Sequence, residues 1–99
     1  MTYQLLITQE AYKDMDNGFF WYEKKRFGLG LEFLATIKAT LSSIQRTPFL
    51  HQKVAETVHR AYIPRFNYGI YFEIVATQIN VLAVLNSRMN PEIWQERVN

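Results

Sequence analysis

Tyr68-Gly69-Ile70-Tyr71-Phe72-Glu73-Ile74-Val75-Ala76-Thr77-Gln78-Ile79-Asn80-Val81-Leu82-Ala83-Val84-Leu85 is the stretch that decides the fold. Two runs rich in β-branched and aromatic residues are parted only by Ala76-Thr77. So short a gap forces antiparallel neighbours, because a parallel return needs a crossover of a dozen residues or more. The turn lacks the Asn-Gly or Asp-Gly pair that suits a two-residue loop, so the hairpin is read from its arms. In the first arm Tyr68, Ile70, Phe72 and Ile74 alternate with Gly69, Tyr71 and Glu73, which separates an apolar face from a more polar one. Tyr71 is therefore expected to be exposed beside Gly69 and Glu73. In the second arm both faces are apolar, as in a central strand covered on two sides.

Upstream, Glu56 to Ile63 forms another strand-like run, close enough to the hairpin to extend the antiparallel order. Before it, a loop around Thr47-Pro48-Phe49 ends a helix whose stripe is Leu31, Leu34, Ile37, Leu41 and Ile44. That stripe reads as core. Phe27-Gly28-Leu29-Gly30 is a tight helix–helix connection. It follows a helix and not a strand, the wrong context for a phosphate-binding glycine loop. The preceding helix runs from about Gln9 to Arg26, with Ala11, Met15, Phe19 and Tyr22 at helical spacing and Lys24, Lys25 and Arg26 where cations suit its C-terminal dipole. Gly18 inside it costs roughly 1 kcal/mol relative to Ala, which points to a kink or close packing there. Tyr3, Leu5 and Ile7 alternate with Gln4, Leu6 and Thr8 in a first short strand, Leu6 adding burial on its second face. Downstream, Asn90-Pro91-Glu92 reads as N-cap, first-turn proline and first-turn acid, opening a short helix that runs through Trp94 to Val98. The expected architecture is α+β: an N-terminal strand, an α-helical hairpin on one face of a four-stranded, mainly antiparallel sheet, and a short C-terminal helix, all in one domain spanning 1–99.

The composition agrees with a small folded domain. Of 99 residues, 48% are hydrophobic and 15% aromatic, enough side-chain area to offset the entropy of folding. There is no cysteine, which removes disulfides, thiolate nucleophiles and cysteine-held metals, and is compatible with a reducing cytoplasm. The N-terminus lacks the pattern of a signal peptide, and no apolar run approaches the ~20 residues of a bilayer span, so a cytoplasmic protein without membrane contact is expected. The net charge of +2 favours polyanions or an acidic protein partner. Lys53, His59, Arg60, Arg65 and Arg88 concentrate that basic character in the strand-forming half. His51 and His59 are the only histidines and have no acidic cluster at ligand spacing, so neither a metal nor a cofactor is expected.

Arg65-Phe66-Asn67-Tyr68-Gly69-Ile70-Tyr71-Phe72-Glu73 resembles a strand of the RelE/ParE superfamily of bacterial type II toxin–antitoxin toxins, also known as plasmid stabilisation proteins. Ile79 to Leu85 followed by Asn86-Ser87-Arg88 resembles that family's last strand, and Asn90-Pro91-Glu92-Ile93-Trp94-Gln95-Glu96-Arg97 its closing segment. Ala11 through Trp21-Tyr22-Glu23, with Gly28-Leu29-Gly30-Leu31-Glu32-Phe33-Leu34, resembles its helical hairpin. The resemblance spans nearly the whole chain. It implies a RelE-like fold, a cognate antitoxin whose tail wraps the domain, and assembly as a homodimer or a toxin–antitoxin hetero-oligomer. At one place the chain departs from the pattern: where many relatives carry histidine after the last strand, it has Asn86, an amide that does not exchange protons near pH 7.

Two activities follow from that resemblance. RelE-like members cleave messenger RNA on the ribosome by attack of a ribose 2′-hydroxyl on its phosphate, which calls for a base, an acid and a stabiliser of charge. Arg60, Arg65, Tyr71 and Arg88 are the candidate catalytic residues of such an endoribonuclease. The guanidinium groups would hold the phosphate from one sheet surface while Tyr71 stacks on a base or protonates the leaving oxygen. Lys53, His59 and Asn86 are candidate substrate-binding residues. Each has an ordinary structural role as an alternative: Arg60 as a solvated strand residue, Tyr71 as sheet packing, His59 as a core histidine. ParE-like members instead inhibit growth by binding DNA gyrase without catalysis, for which the missing histidine has no consequence. An attenuated toxin kept as antitoxin partner and co-repressor is a third reading compatible with Asn86.

Overall fold

The computed structural model describes residues 2–98. Strand β1 (Gln4–Ile7) leads into helices α1 (Gln9–Lys25) and α2 (Leu29–Arg46), and a 3-10 turn at Pro48–Leu50 leads to β2 (Gln52–Lys53). Strands β3 (Val58–Ile63), β4 (Tyr68–Val75) and β5 (Gln78–Asn86) and the short helix α3 (Glu92–Gln95) follow. The sheet has five strands in the order β1-β5-β4-β3-β2, with β1 parallel to β5 and every other pair antiparallel. The fifth strand, absent from the four-stranded expectation, is β2; two residues are too short to show alternation, and only pairing with His59 and Arg60 reveals it.

Local chemistry sets the element ends. Thr8 Oγ1 accepts a hydrogen bond from the Ala11 amide at 3.1 Å and caps α1. Gly28, at φ 87°, makes the left-handed step between the helices, and the Glu23 carboxylate accepts from the Gly28 and Gly30 amides at 3.0 Å each. Asn90 Oδ1 accepts from the Glu92 amide at 2.9 Å just ahead of α3, whose N-cap residue is Pro91, and the helix stops at Gln95, short of the expected Val98. Ala76 closes the β4–β5 hairpin at φ 54°, a left-handed conformation that Asn or Gly would adopt more readily.

One sheet face carries the helical hairpin. Phe33, Ile37 and Ile44 of α2 meet Ile70 and Phe72 of β4 and Ile79 and Val81 of β5, all fully or almost fully buried. The buried register of α2 is Gly30, Phe33, Ile37, Leu41 and Ile44; Leu31, expected in the stripe, is 64% exposed because it lies on the outer side of the first turn. Leu6 likewise points outward on the edge strand, 53% exposed, and adds no second buried face. Gly18 is the point of close packing: a Cβ there would stand 2.7 Å from the Phe33 ring.

The apolar character of both β5 faces has a specific geometry behind it. Tyr71 pairs with Ala83 but Phe72 pairs with Val81, so Leu82 is an extra residue, a β-bulge that reverses the alternation of the rest of the strand. Ile79 and Val81 face the helices before it and Val84 after it, while Leu82, Ala83 and Leu85 join a second cluster on the outer face, with Val58, Tyr71 and Trp94. Beyond Ile7, which pairs with Val81, β1 no longer covers the edge of β5. There the Leu82 carbonyl accepts from Arg97 Nη1 at 3.0 Å and the Val84 amide donates to Asp14 Oδ2 at 3.0 Å. Arg97 Nη1 and Asp14 Oδ2 also form an ion pair at 2.6 Å, closing a clip between α1 and the C-terminal segment.

Candidate functional site

The sheet end formed by the β3–β4 turn and the exit of β5 lies beside the second half of α1. Asn67 reverses the chain at φ 56°, its carbonyl accepting from the Ser87 amide at 2.9 Å, so the turn and the β5 exit are locked together. Between them and α1 lies an open groove of about 600 Å³, within the range of ligand-binding pockets. Asn17 and Trp21 supply its α1 side, Phe66, Asn67 and Tyr68 its floor, and Asn86, Arg88 and Met89 its far rim. The bulge at Leu82 is what aims Asn86 here; by unbroken alternation from Ile79 and Val81 it would point to the outer face.

The floor is rigid. Tyr22 hydroxyl donates to the Phe66 carbonyl at 3.1 Å, and Phe33 meets Phe66 and Tyr68 edge-on at centroid distances of 5.3 and 4.9 Å. Burial, with smaller contributions from Tyr22 and Asp14, pushes the Tyr68 phenol up to about 12. It is therefore a neutral hydroxyl at physiological pH. Burial raises Tyr22 as well.

The structure disperses the residues expected to share one phosphate. Asn86 and Arg88 line the groove. Arg65, in the adjoining turn, is ion-paired to Glu32 of α2 and rests over the Phe66 ring at 4.8 Å. Glu32 also receives Arg26 at 3.1 Å, and the hydrogen bonds from Arg65 and then Arg26 hold its carboxyl below the usual range. Arg60 lies on the outer sheet face. Its stem crosses Gly69, where a Cβ would stand 3.0 Å from Arg60 Cδ, and its Nη2 donates to Gln52 Oε1 at 2.9 Å.

Tyr71 corrects the reading of its surroundings. It is 8% exposed, not an open phenol, because Trp94 of α3 stacks on it at 5.1 Å with the rings 13° from parallel. The Gly69 and Glu73 positions that suggested solvent are buried too, Glu73 accepting from the Thr57 hydroxyl at 3.1 Å. His59 lies on the opposite, helix-side face, 7% exposed, between the rings of Phe49 and Phe72 at 5.8 and 5.7 Å. Its Nδ1 has no hydrogen-bond partner. Lys53, exposed on β2, pairs with His59 in register and remains on that edge of the sheet.

His59 has a consequence for stability. Burial first, then the charges of Lys53 and His51, lower its pKa below the ordinary 6.5 of a histidine, and burial lowers His51 too. The unfolded chain therefore binds protons before the folded one, so stability is full above about 6.5 and falls as the pH drops below it. Thermal unfolding between pH 7 and 5.5 is expected to show a falling midpoint, and His59→Leu a shallower fall. An equal slope in the variant would refute the assignment.

Trp21, Phe66, Tyr68 and Met89 were not singled out from the sequence as site residues. One signal was present: Trp21 falls off the α1 stripe of Ala11, Met15 and Gly18, which predicts an open ring, and it is 58% exposed. Among the described residues no three His, Asp or Glu side chains stand together as a metal site, and no helix is long and apolar enough to cross a membrane.

Comparison with solved structures places the architecture. A chromosomal ParDE toxin–antitoxin system from P. aeruginosa superposes with a TM-score of 0.77 at 16% identity, over 86% of this chain and 96% of that one. The chain has the RelE/ParE toxin fold. A double-arginine mutant of E. coli toxin RelE in its free state superposes with a TM-score of 0.62 at 14% identity, over 98% of this chain and 95% of that one. No family model and no curated protein matches in sequence. In this fold, the groove lies where the β5 exit meets α1, with Asn86 and Arg88 on its rim.

Proposed function

We propose that this chain is the toxin of a type II toxin–antitoxin pair and that it acts by binding its target, in the manner of ParE on DNA gyrase, without cutting messenger RNA. The fold shared with a ParDE system and with toxin RelE supports the toxin reading. The choice of mechanism rests on one observation: the groove carries no group that exchanges protons near neutral pH. Its rim holds the Asn86 amide and the Arg88 guanidinium, and the Tyr68 phenol on its floor stays neutral to about 12. A 2′-hydroxyl attack needs a base and an acid within hydrogen-bond reach of the same phosphate. His59 and Tyr71, the remaining candidates, are buried on opposite sheet faces. A guanidinium beside amides on an apolar wall is instead suited to holding a partner.

Inducible expression in bacteria tests this reading. Growth should stop with a DNA-damage response and intact message, and purified chain should inhibit gyrase supercoiling while leaving ribosome-bound message uncut. Message cleavage on programmed ribosomes would overturn the mechanism in favour of an endoribonuclease. Unimpaired growth under verified expression would overturn both active readings and favour an attenuated antitoxin partner.

A further inference from the structure

The closed end of the helical hairpin leaves large apolar side chains open. Phe27, between the two helices, is 92% exposed, and Leu31, Phe20 and Trp21 are 64%, 61% and 58% exposed. A Cβ on Gly30 would stand 2.7 Å from the Phe19 ring, so the first turn of α2 crosses α1 there and brings Leu31 to the level of Phe20. Single exposed apolar residues are ordinary, whereas a group of them marks an interaction surface. The charge around this group is one-sided. Lys24, Lys25 and Arg26 are consecutive and exposed, and among the described residues neither lysine is in an ion pair. Lys25 instead lies 4.5 Å over the Trp21 ring. The two acids of the same segment are turned to internal donors: Glu23 takes the Gly28 and Gly30 amides, and Glu32 takes Arg26 and Arg65.

This pattern separates the possible occupants. A second copy docked tip to tip would set two rows of Lys24, Lys25 and Arg26 against each other, a like-charge contact. An acidic protein would need a concave seat for a protruding turn, and lysine is depleted from the buried centres of such interfaces. Single-stranded nucleic acid stacks its bases on successive open rings. Here Phe19 and Phe20 engage each other edge to face at 5.2 Å and Lys25 covers Trp21, which leaves Phe27 alone. The headgroup region of an anionic bilayer accepts rings interleaved with lysines that reach past them, and it needs no preformed cavity. Phe20 and Trp21 stand about 10 Å back from Phe27 along the helix, close to the depth at which interfacial segments seat. We propose that the hairpin tip docks on the surface of an anionic phospholipid membrane, with Phe27 and Leu31 entering the headgroup boundary and Lys24 and Lys25 held at the phosphates. That no described helix is long and apolar enough to cross a bilayer bears only on spanning it. The docking is independent of the toxin reading and of the groove.

The test is co-sedimentation of the whole chain with vesicles of phosphatidylcholine containing about 30% phosphatidylglycerol, and with phosphatidylcholine alone. Binding should be about thirtyfold tighter on the anionic vesicles. Tryptophan emission should move to shorter wavelength on binding, Trp21 being the open indole and Trp94 a buried one. Phe27→Asn alters a side chain too exposed to hold the fold together, and should weaken binding about tenfold. Lys24→Gln/Lys25→Gln should weaken it about thirtyfold, whereas Lys38→Gln/Arg46→Gln, which removes the same charge farther along α2, should leave it within about twofold. No binding to the anionic vesicles, equal binding to both kinds, an unchanged affinity in Phe27→Asn, or equal losses in the two double variants would each overturn the proposal. Dimerisation, or binding of a single-stranded RNA hexamer or an acidic peptide, that is lost in Phe27→Asn would reassign the tip and overturn it as well.

Discussion

Asp14→Ala should lower the free energy of unfolding by about 3 kcal/mol, read as a reduced urea midpoint at unchanged slope. The carboxylate receives the Val84 amide at 3.0 Å and Arg97 Nη1 at 2.6 Å, and its side chain is only 11% exposed. Removing it leaves a guanidinium at 20% exposure without its counter-charge and a strand-edge amide without an acceptor. Replacing both partners should cost less than the sum of the single losses, because Asp14→Ala/Arg97→Met leaves no charge stranded. A single-variant loss below about 1 kcal/mol would reduce the clip to an ordinary surface ion pair.

Phe33→Ala should be the more damaging core substitution, at about 4 kcal/mol. The ring is fully buried and meets Tyr22, Phe66 and Tyr68 at centroid distances of 5.2, 5.3 and 4.9 Å. It also lies against Gly18, where no side chain is available to swing in and fill the space. The cavity therefore persists, and a loss of that size is a large part of the 5–15 kcal/mol that holds a typical domain together. Because Phe66 and Tyr68 floor the groove, loosening them should also flatten the near-ultraviolet dichroism of the aromatic cluster. A midpoint shift below that of a conservative Phe33→Leu substitution would show that the site collapses around the smaller residue.

The order of elements was legible because period and punctuation agree: Tyr68 to Val75 alternates cleanly, Ile37, Leu41 and Ile44 keep helical spacing, and Asn90-Pro91-Glu92 marks a helix start. The errors fall where a tertiary contact overrides a local pattern. Tyr71 reads as exposed because its same-face neighbours in sequence are glycine and glutamate; the residue that covers it, Trp94, is more than twenty positions away. The arginines read as one cluster because they sit near strand ends. Only the register shows that Arg60 faces away from the groove, and only the helix hairpin shows that Glu32 occupies Arg65. The bulge at Leu82 was hidden in a run of apolar residues, where a reversal of facing leaves no mark on the hydrophobic pattern. It nevertheless decides where Asn86 points, and with it the chemistry of the groove.

The clip between Asp14 and Arg97 joins residues 83 positions apart. Without Arg97 in place, the edge of β5 beyond Val81, which β1 does not cover, keeps the Leu82 carbonyl open. Asp14 and Arg97 together are thus the guard of that edge. Removing Arg97 offers the Leu82 carbonyl to any neighbouring strand, and removing the Asp14 carboxylate the Val84 amide, so self-association accompanies the loss of stability.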